Sequence, residues 1–293
     1  MFKGSMVALV TPMDEHGEID FPALADLVEW HINAKTDAIV AVGTTGESAT
    51  LSPQEQFAII DFVVKQAAGR IPIIAGAGTN ATQTTLNLIK QAEKAKADAC
   101  LLVTPYYNKP TQEGLYQHFK LLAEKTSLPI ILYNVPNRTA CDLLPETVGR
   151  LAQIKSIIGI KEATGQLARA QAILAQCGAG FHVFSGDDAS ALDLLTHGAK
   201  GVISVTANIA PQKMAELCHA VLEGNSQRAL QLNTELASLH QNLFVQSNPM
   251  PVKWALHYLN KIKAGIRLPL LPLDASYQVL VKQAMQQAGV LSS

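Results

Sequence analysis

Ile157-Ile158-Gly159-Ile160-Lys161-Glu162-Ala163-Thr164-Gly165 is the stretch from which the fold is read most directly. Its first residues form a short apolar run, rich in β-branched side chains, that is typical of a parallel strand covered on both faces. Because side chains alternate along a strand, Gly159, Lys161 and Ala163 are predicted to share one face. The other face would carry Ile158, Ile160 and Glu162. The lysine would therefore emerge among very small side chains, with room for a small molecule beside its amine.

Seven more runs of this kind occur in the chain, and segments with helical periodicity separate them. The eight predicted strands span residues 6–11, 38–43, 72–76, 99–104, 129–134, 157–162, 181–185 and 201–204. The clearest helices span residues 53–68, 82–96, 113–125 and 145–153. Ser52 is the predicted N-cap of the first of these helices, with Pro53 at its first position. Strands that alternate with helices indicate parallel βαβ units, and eight units predict a closed (β/α)8 TIM barrel rather than a doubly wound open sheet.

The pattern changes after residue 204, where the chain becomes mainly helical. Helices are predicted at residues 212–222, 226–241, 252–259 and 275–288, with prolines between the later ones. We interpret the first as the last barrel helix and the others as a C-terminal helical extension. The predicted domains are a (β/α)8 barrel that carries the chemistry, residues 1–224, and the extension, residues 225–293.

Composition limits the classes of partner. Apolar residues make up 48% of the 293-residue chain, which is ample for a large core, and the formal net charge of −1 predicts no nucleic-acid or membrane partner. The N-terminus lacks a signal-peptide layout, and no apolar run approaches the length of a membrane span. Four widely spaced cysteines without a C-x-x-C pair are typical of reduced thiols, so a cytoplasmic protein is predicted. They are Cys100, Cys141, Cys177 and Cys218.

In a barrel of this kind, chemistry gathers at the carboxyl ends of the strands. Polar or glycine-rich residues follow these ends in the present chain, while the opposite ends carry ordinary loops. The candidates are Thr44, Thr45, Asn80, Tyr106, Tyr107, Tyr133, Arg138, Lys161, Ser185, Gly186 and Asp187.

Lys161 is the strongest of these candidates. A lysine ammonium, with an ordinary pKa near ~10.4, is a poor nucleophile, but burial in an apolar site favours the neutral amine, which can form a Schiff base with a ketone. A structural lysine that pairs with Glu162 or reaches solvent is the alternative. Tyr133 could pass protons at the same rim, and Arg138 is suited to a substrate carboxylate. Backbone amides of the turn at Thr44 could hold another carboxylate.

Two further kinds of site are not supported. Residues 75–81 match G-x-G-x-x-A, but no acidic residue ends the following strand, so a dinucleotide site is not predicted. The eight histidines form no H-x-H or H-x-x-x-H pair. We therefore predict neither a metal nor a cofactor.

Four segments together resemble the dihydrodipicolinate synthase family, the pyruvate-dependent class I aldolases that include N-acetylneuraminate lyase. The resemblance covers essentially the whole chain, and the order and spacing of the segments are highly specific. Arg138 and residues 106–110 are similar to the synthases rather than to the sialic-acid lyases. The four segments span residues 43–47, 133–139, 159–163 and 185–187.

The resemblance implies a reaction and its catalytic residues. Lys161 would form an imine with pyruvate, and the derived enamine would attack the aldehyde of L-aspartate 4-semialdehyde. Cyclisation would give 4-hydroxy-tetrahydrodipicolinate, on the route to diaminopimelate and lysine. Tyr133, Thr44 and Tyr107 would form a proton relay, with Tyr107 supplied by a neighbouring subunit of a homotetramer built as a dimer of dimers.

The resemblance also implies the binding residues. Thr45 would hold the pyruvate carboxylate and Arg138 the semialdehyde carboxylate, while the backbones of Gly186 and Ile203 would line the lysine pocket. A site for the effector lysine would include Ser48, Ala49, Asn80 and Tyr106. Inhibited members often carry histidines at positions 53 and 56 and a glutamate at position 84, where this chain has Pro53, Gln56 and Thr84. We therefore expect weak or absent inhibition by lysine.

Two other functions compete with this one. A related lyase could keep the Lys161 imine but use another aldehyde, as in N-acetylneuraminate lyase or a lyase of keto-sugar acids. A non-catalytic barrel could bind a keto acid as a sensor. The amine inside a strand argues against the sensor, because carboxylate binding alone does not require it.

Overall fold

Parallel strands form at all eight of the predicted positions, and they pair in chain order. The computed structural model describes residues 2–291. Its strands are β1 (Gly4–Ala8), β2 (Ala38–Ala41), β3 (Ile73–Gly76), β4 (Ala99–Val103), β5 (Ile130–Asn134), β6 (Ile157–Glu162), β7 (His182–Ser185) and β8 (Gly201–Ser204). β8 returns to β1, with Met6 aligned to Ile203, and this pairing closes the barrel. The (β/α)8 prediction is therefore confirmed.

Helices fill the connections and cover the outside of the barrel. They are α1 (Phe21–Asn33), α2 (Pro53–Ala67), α3 (Thr82–Ala95), α4 (Gln112–Glu124), α5 (Pro136–Thr139), α6 (Pro145–Leu151), α7 (Leu167–Cys177), α8 (Ala191–Thr196), α9 (Pro211–Leu222), α10 (Ser226–Asn242), α11 (Met250–Tyr258) and α12 (Ala275–Gln287). The predicted cap of α2 is confirmed as a capping box, because Ser52 and Glu55 each bond the other's backbone N–H through their side chains.

A short helix stands where the sequence predicted a loop. The sequence placed Arg138 on a loop, whereas it lies in the single turn α5. Pro136 starts this turn with a helical φ, and the backbone N–H of Ala140 closes it on the carbonyl of Pro136 at 2.9 Å. The turn fixes the backbone from which the arginine side chain projects.

Alternation along the strands divides the apolar residues into two layers. One layer packs between the sheet and the surrounding helices, and includes Ile39, Leu102, Leu132, Ile160 and Val183. The other fills the inside of the barrel with side chains from every strand. Its buried members are Met6, Ala8, Ala38, Val40, Ile74, Ala99, Leu101, Ile131, Tyr133, Val135, Phe184 and Ile203.

β6 departs from simple alternation at its start. Ile130 of β5 is paired with Ile157, but Ile131 is paired with Gly159, so one extra residue is inserted in β6. Ile158 consequently packs against the interior cluster, and its predicted place on the outer face beside Ile160 was wrong. Beyond this bulge the predicted alternation holds for Ile160, which packs in the outer layer, and for Lys161 and Glu162.

The extension packs onto the last part of the barrel. α10 lies against α9 and α12, and α11 lies against α12. The extension is thus observed as predicted, and the division into domains at residue 225 stays a prediction. Within residues 2–291, the helices are too short or too polar for any of them to cross a bilayer.

Glu162 faces the helices and is held there by a buried polar network. Arg169 of α7 donates to its carboxylate at 3.3 Å, the Asn134 amide donates at 3.0 Å and the Thr164 N–H donates at 2.8 Å. Arg169 also donates to Asp142 at 2.6 Å. The carboxylate next to Lys161 in sequence is therefore neutralised in the opposite layer.

We predict that Arg169→Ala destabilises the fold strongly. It would leave the Glu162 carboxylate buried with two neutral donors, and removing one partner of a buried ion pair costs about 3–5 kcal/mol. The free energy of unfolding from urea titration measures the loss. Lys65→Ala is the control, because its pair with Asp61 lies at the surface and should be worth less than about 1 kcal/mol. Equal losses for the two variants would contradict the role of this network.

A buried histidine makes the stability of the barrel depend on pH. His31 of α1 lies fully inside, with Nδ1 3.0 Å from the hydroxyl of Thr36. Burial, with a smaller contribution from Lys261, lowers the pKa of His31 to about 3 from an ordinary value of 6.5. The imidazole is therefore neutral in the folded chain but protonated in the unfolded chain below pH 6.5.

We predict that this histidine weakens the fold in acid. Above pH 6.5 His31 is neutral in both states and does not change the free energy of unfolding with pH. As the pH falls from 6.5 towards 3, the unfolded chain binds a proton that the folded chain does not, so the free energy of unfolding falls by up to about 1.4 kcal/mol per pH unit. His31→Leu should flatten the dependence of the free energy of unfolding on pH in this range. Above pH 7 the free energy of unfolding should depend on pH in the same way in the wild type and in His31→Leu. A variant with the wild-type pH dependence at pH 5 would contradict the role of His31.

Candidate active site

Lys161 and Tyr133 meet inside the carboxyl end of the barrel. They are paired residues of the neighbouring strands β6 and β5, and both side chains point inward because they occupy equivalent positions in the alternation. Lys161 Nζ lies 4.3 Å from the centre of the Tyr133 ring. The lysine is only 6% exposed. An amine and a phenol are thus brought together at the edge of an apolar interior.

Small residues leave the space that the lysine occupies. A Cβ placed on Gly186 would lie 3.0 Å from both Cγ and Cε of Lys161 and 2.7 Å from the Cβ of Ala163. Glycine at position 186 is therefore required by the close approach of the lysine stem. Ile203 of β8 is fully buried in the interior cluster that also contains Tyr133. The structure thus brings four of the predicted site residues to one end of the barrel.

Lys161 has no carboxylate partner in the part of the chain that the structure describes. None of the ion pairs within residues 2–291 includes it, and Glu162 is paired with Arg169 on the other face of β6. The alternative of a structural Lys161–Glu162 pair is therefore wrong. What remains beside the amine is an aromatic ring and apolar or very small side chains.

Thr44 and Thr45 lie in the predicted turn after β2. The N–H groups of Gly46 and Glu47 bond back to the carbonyls of Gly43 and Thr44, at 3.0 and 3.1 Å. Thr45 is buried, whereas Thr44 is partly exposed. Glu47 takes a left-handed φ of 58° where the turn ends. The two hydroxyls are thus held on a short, ordered segment at the same end of the barrel as Lys161.

The C-terminal extension supplies partners to this turn that were not found from the sequence. The Asn248 amide donates to the Thr45 hydroxyl at 2.9 Å. Lys253 of α11 forms a buried ion pair with Glu47, and the N–H of Arg267 donates to the same carboxylate at 3.1 Å. Burial lowers the pKa of Lys253, although the Glu47 carboxylate opposes the shift. These partners lie about 200 positions from the turn, and no local pattern marks them.

Tyr107 and Arg138 lie at the rim rather than inside the barrel. Tyr107 is 88% exposed and has a left-handed φ of 75°, which is unusual for an aromatic residue. Its backbone N–H donates to the carbonyl of Thr139 at 3.3 Å, so this loop is tied to the turn that carries Arg138. The Arg138 side chain is exposed. Among residues 2–291, no hydrogen bond joins the Tyr133 hydroxyl to Thr44 or Tyr107.

The residues matched to an effector site lie beside the Thr44 turn and along the same rim. Ser48 and Ala49 form a 3₁₀ turn with Thr50, and Gln56 donates to the carbonyls of Ser48 and Leu51 at 3.0 and 3.2 Å. Asn108 donates to the carbonyl of Asn80 at 2.9 Å, and Tyr106 is exposed. Gln56 thus holds the backbone of its own chain, while Pro53 and Thr84 are exposed.

Comparison with known proteins connects this geometry to a family. The model of the dihydrodipicolinate synthetase family matches residues 1–288. A 4-hydroxy-tetrahydrodipicolinate synthase of Methylococcus capsulatus is 58% identical over 291 residues, which cover 99% of this chain and all of the relative. One from Pseudomonas aeruginosa is 56% identical over the full length of both chains.

Solved structures of the same family also resemble this chain. Dihydrodipicolinate synthase from Acinetobacter baumannii, solved with pyruvate, has a TM-score of 0.98 at 52% identity and covers 99% of this chain and 100% of its own. The enzyme from Cyanidioschyzon merolae, solved with lysine bound, has a TM-score of 0.96 at 37% identity and covers 99% of both chains. Because the match spans the barrel, the extension and the lysine strand together, the chain belongs to the dihydrodipicolinate synthetase family.

Proposed function

We propose that Lys161 is the Schiff-base residue of this chain and that the barrel mouth condenses pyruvate with L-aspartate 4-semialdehyde. The activity of the chain is that of a 4-hydroxy-tetrahydrodipicolinate synthase, a lyase of the class I aldolase type. The observation that carries the proposal is the buried amine of Lys161, which faces Tyr133 and has no neutralising carboxylate among residues 2–291. An amine shielded from water in this way is suited to attack on a ketone.

The reaction passes through an imine and an enamine of Lys161. The amine adds to C2 of pyruvate, and loss of water gives the imine. Loss of a proton from C3 gives the enamine, which forms a carbon–carbon bond to the aldehyde carbon of the semialdehyde. The amino group of the adduct then attacks C2 and displaces Lys161. The product is 4-hydroxy-tetrahydrodipicolinate, one water is released overall, and the lysine is regenerated. The imine nitrogen serves as the electron sink.

Protons must enter and leave at the oxygen and nitrogen atoms bound to C2, at C3 and at the new alcohol. Tyr133, whose ring lies 4.3 Å from the Lys161 amine, would move protons there, and Thr44 would extend the relay from the neighbouring turn. Tyr107 would complete it from a second subunit. Its exposure and strained backbone support this role, because an ordered but solvent-exposed tyrosine at a rim is positioned to enter a neighbouring molecule. A homotetramer arranged as a dimer of dimers is part of the same proposal.

Two carboxylates must be recognised. Thr45, a buried residue of the turn, would bind the carboxylate of pyruvate, and Arg138 at the rim would bind that of the semialdehyde. The backbones of Gly186 and Ile203 would line the pocket between them. Arg138 also argues against a sialic-acid lyase, and an unpaired buried lysine argues against a passive keto-acid sensor. A cytoplasmic location is proposed from the free cysteines, three of which are buried thiols.

We predict that borohydride traps pyruvate on Lys161. Reduction of the imine in the presence of pyruvate should add a carboxyethyl group to this side chain, located by mass spectrometry of the digested protein. Lys161→Ala should abolish the adduct and lower kcat by at least about a thousandfold, because the covalent route is lost. Lys200→Ala, which removes an exposed lysine next to the amino end of β8, should trap pyruvate normally. An intact wild-type protein without an adduct would refute the proposed function.

We also predict that lysine inhibits this enzyme weakly or not at all. The Gln56 amide is occupied by backbone carbonyls, and Thr84 offers no carboxylate to the ammonium of the effector. Initial rates in a coupled assay should stay close to the uninhibited value in millimolar lysine, relative to sodium chloride at equal ionic strength. Thr84→Glu should increase sensitivity by restoring an ionic partner. Strong inhibition of the wild-type enzyme by micromolar lysine would overturn this prediction.

A further inference from the structure

The hydroxyl of Thr45 is controlled by a residue outside the barrel. Asn248 lies just before α11, and its side-chain nitrogen donates to Thr45 Oγ1 at 2.9 Å. Both residues are buried. The side-chain oxygen of Asn248, Oδ1, is buried and has no hydrogen-bond partner among the described residues. The bond from Nδ2 to Thr45 is therefore the hydrogen bond that this side-chain amide makes. A hydroxyl that accepts this bond keeps its own proton for another acceptor.

We propose that Asn248 is a positioning residue that makes the Thr45 hydroxyl a hydrogen-bond donor to the carboxylate of pyruvate. The inference rests on the role of Thr45 in the proposed function and adds the reason why its hydroxyl donates a hydrogen bond rather than accepting one. A carboxylate can only accept hydrogen bonds. A hydroxyl whose lone pair is already engaged by an amide N–H is therefore oriented to serve it, and the carboxylate need not reorganise the site as it binds.

The same part of the chain anchors the end of the turn through the side chain of Glu47. Lys253 and the N–H of Arg267 both bond the Glu47 carboxylate, and Arg267 also donates to the carbonyl of Thr50 at 2.9 Å. The turn is thus fixed at its far end, at Glu47, while Asn248 acts on the hydroxyl of Thr45. Because the backbone has its own anchors, removing the Asn248 amide should alter the Thr45 hydroxyl more than the position of the turn.

Two substitutions at position 248 separate the effect of the hydrogen bond to Thr45 from the effect of side-chain packing. Asn248→Ala removes the donor, and the pyruvate concentration that gives half-maximal borohydride trapping should rise about tenfold, as expected for losing the orientation of a bond to a charged group. Asn248→Asp keeps the shape but accepts the Thr45 proton and places a negative charge beside the substrate carboxylate, so the rise should be larger. The KM for the semialdehyde should change less than about twofold in both variants.

One control variant distinguishes this role from a structural one. Gln246→Ala removes another hydrogen bond of the extension, the 3.0 Å bond from the N–H of Asp274, and should leave the trapping curve unchanged. If Asn248→Ala fails to fold, the isosteric Asn248→Asp carries the test. A trapping curve of wild-type midpoint for Asn248→Asp would overturn the inference.

A double-mutant cycle shows whether Asn248 acts through Thr45. In a Thr45→Val background, Asn248→Ala should produce no further rise in the half-saturating pyruvate concentration, because the hydroxyl that it orients is absent. An additional rise equal to that in the wild-type background would show an independent role and refute the inference. Failure of the wild-type protein to trap pyruvate is a different result, since it would refute the proposed function itself.

Discussion

Successive side chains of a strand point to opposite faces, and on β6 this places two neighbouring charges in separate layers. Lys161 points into the barrel, and Glu162 points into the helical layer, where Arg169 and Asn134 bind it. If both side chains shared one face, the carboxylate would neutralise the amine. The candidate chemistry therefore depends on a geometric property of extended backbone, and the closed ring of strands then gives that amine an apolar surrounding.

Closure of the barrel supplies what a single strand cannot. Lys161 meets Tyr133 because β5 and β6 pair in register, and it meets Gly186 because the chain after β7 passes beside its stem. The bulge at the start of β6 turns Ile158 inward and leaves Gly159 opposite Ile131. These pairings between different strands together produce one site with an amine beside a phenol.

The extension has a chemical as well as a packing role in this arrangement. It follows the last strand, yet its residues bond the turn after the second strand, where Asn248 reaches Thr45 and Lys253 reaches Glu47. Burial of the Glu47–Lys253 pair removes water from both charges at a cost that their attraction offsets, and leaving either partner alone would be strongly destabilising. The turn that carries the Thr45 hydroxyl is thereby held by buried contacts with the extension.

The sequence by itself determined the eight strands, the order of helices and the side of the barrel on which chemistry gathers, because hydrophobic periodicity and capping residues act over a few positions. It also indicated Lys161, since a lysine inside a β-branched run is visible locally. The tertiary structure alone decided that Glu162 pairs with Arg169, that Ile158 turns inward and that Arg138 starts from a helical turn. It alone joined Asn248 to Thr45. These outcomes depend on strand register and on side chains up to 200 positions apart, and such contacts leave no periodic trace in a sequence.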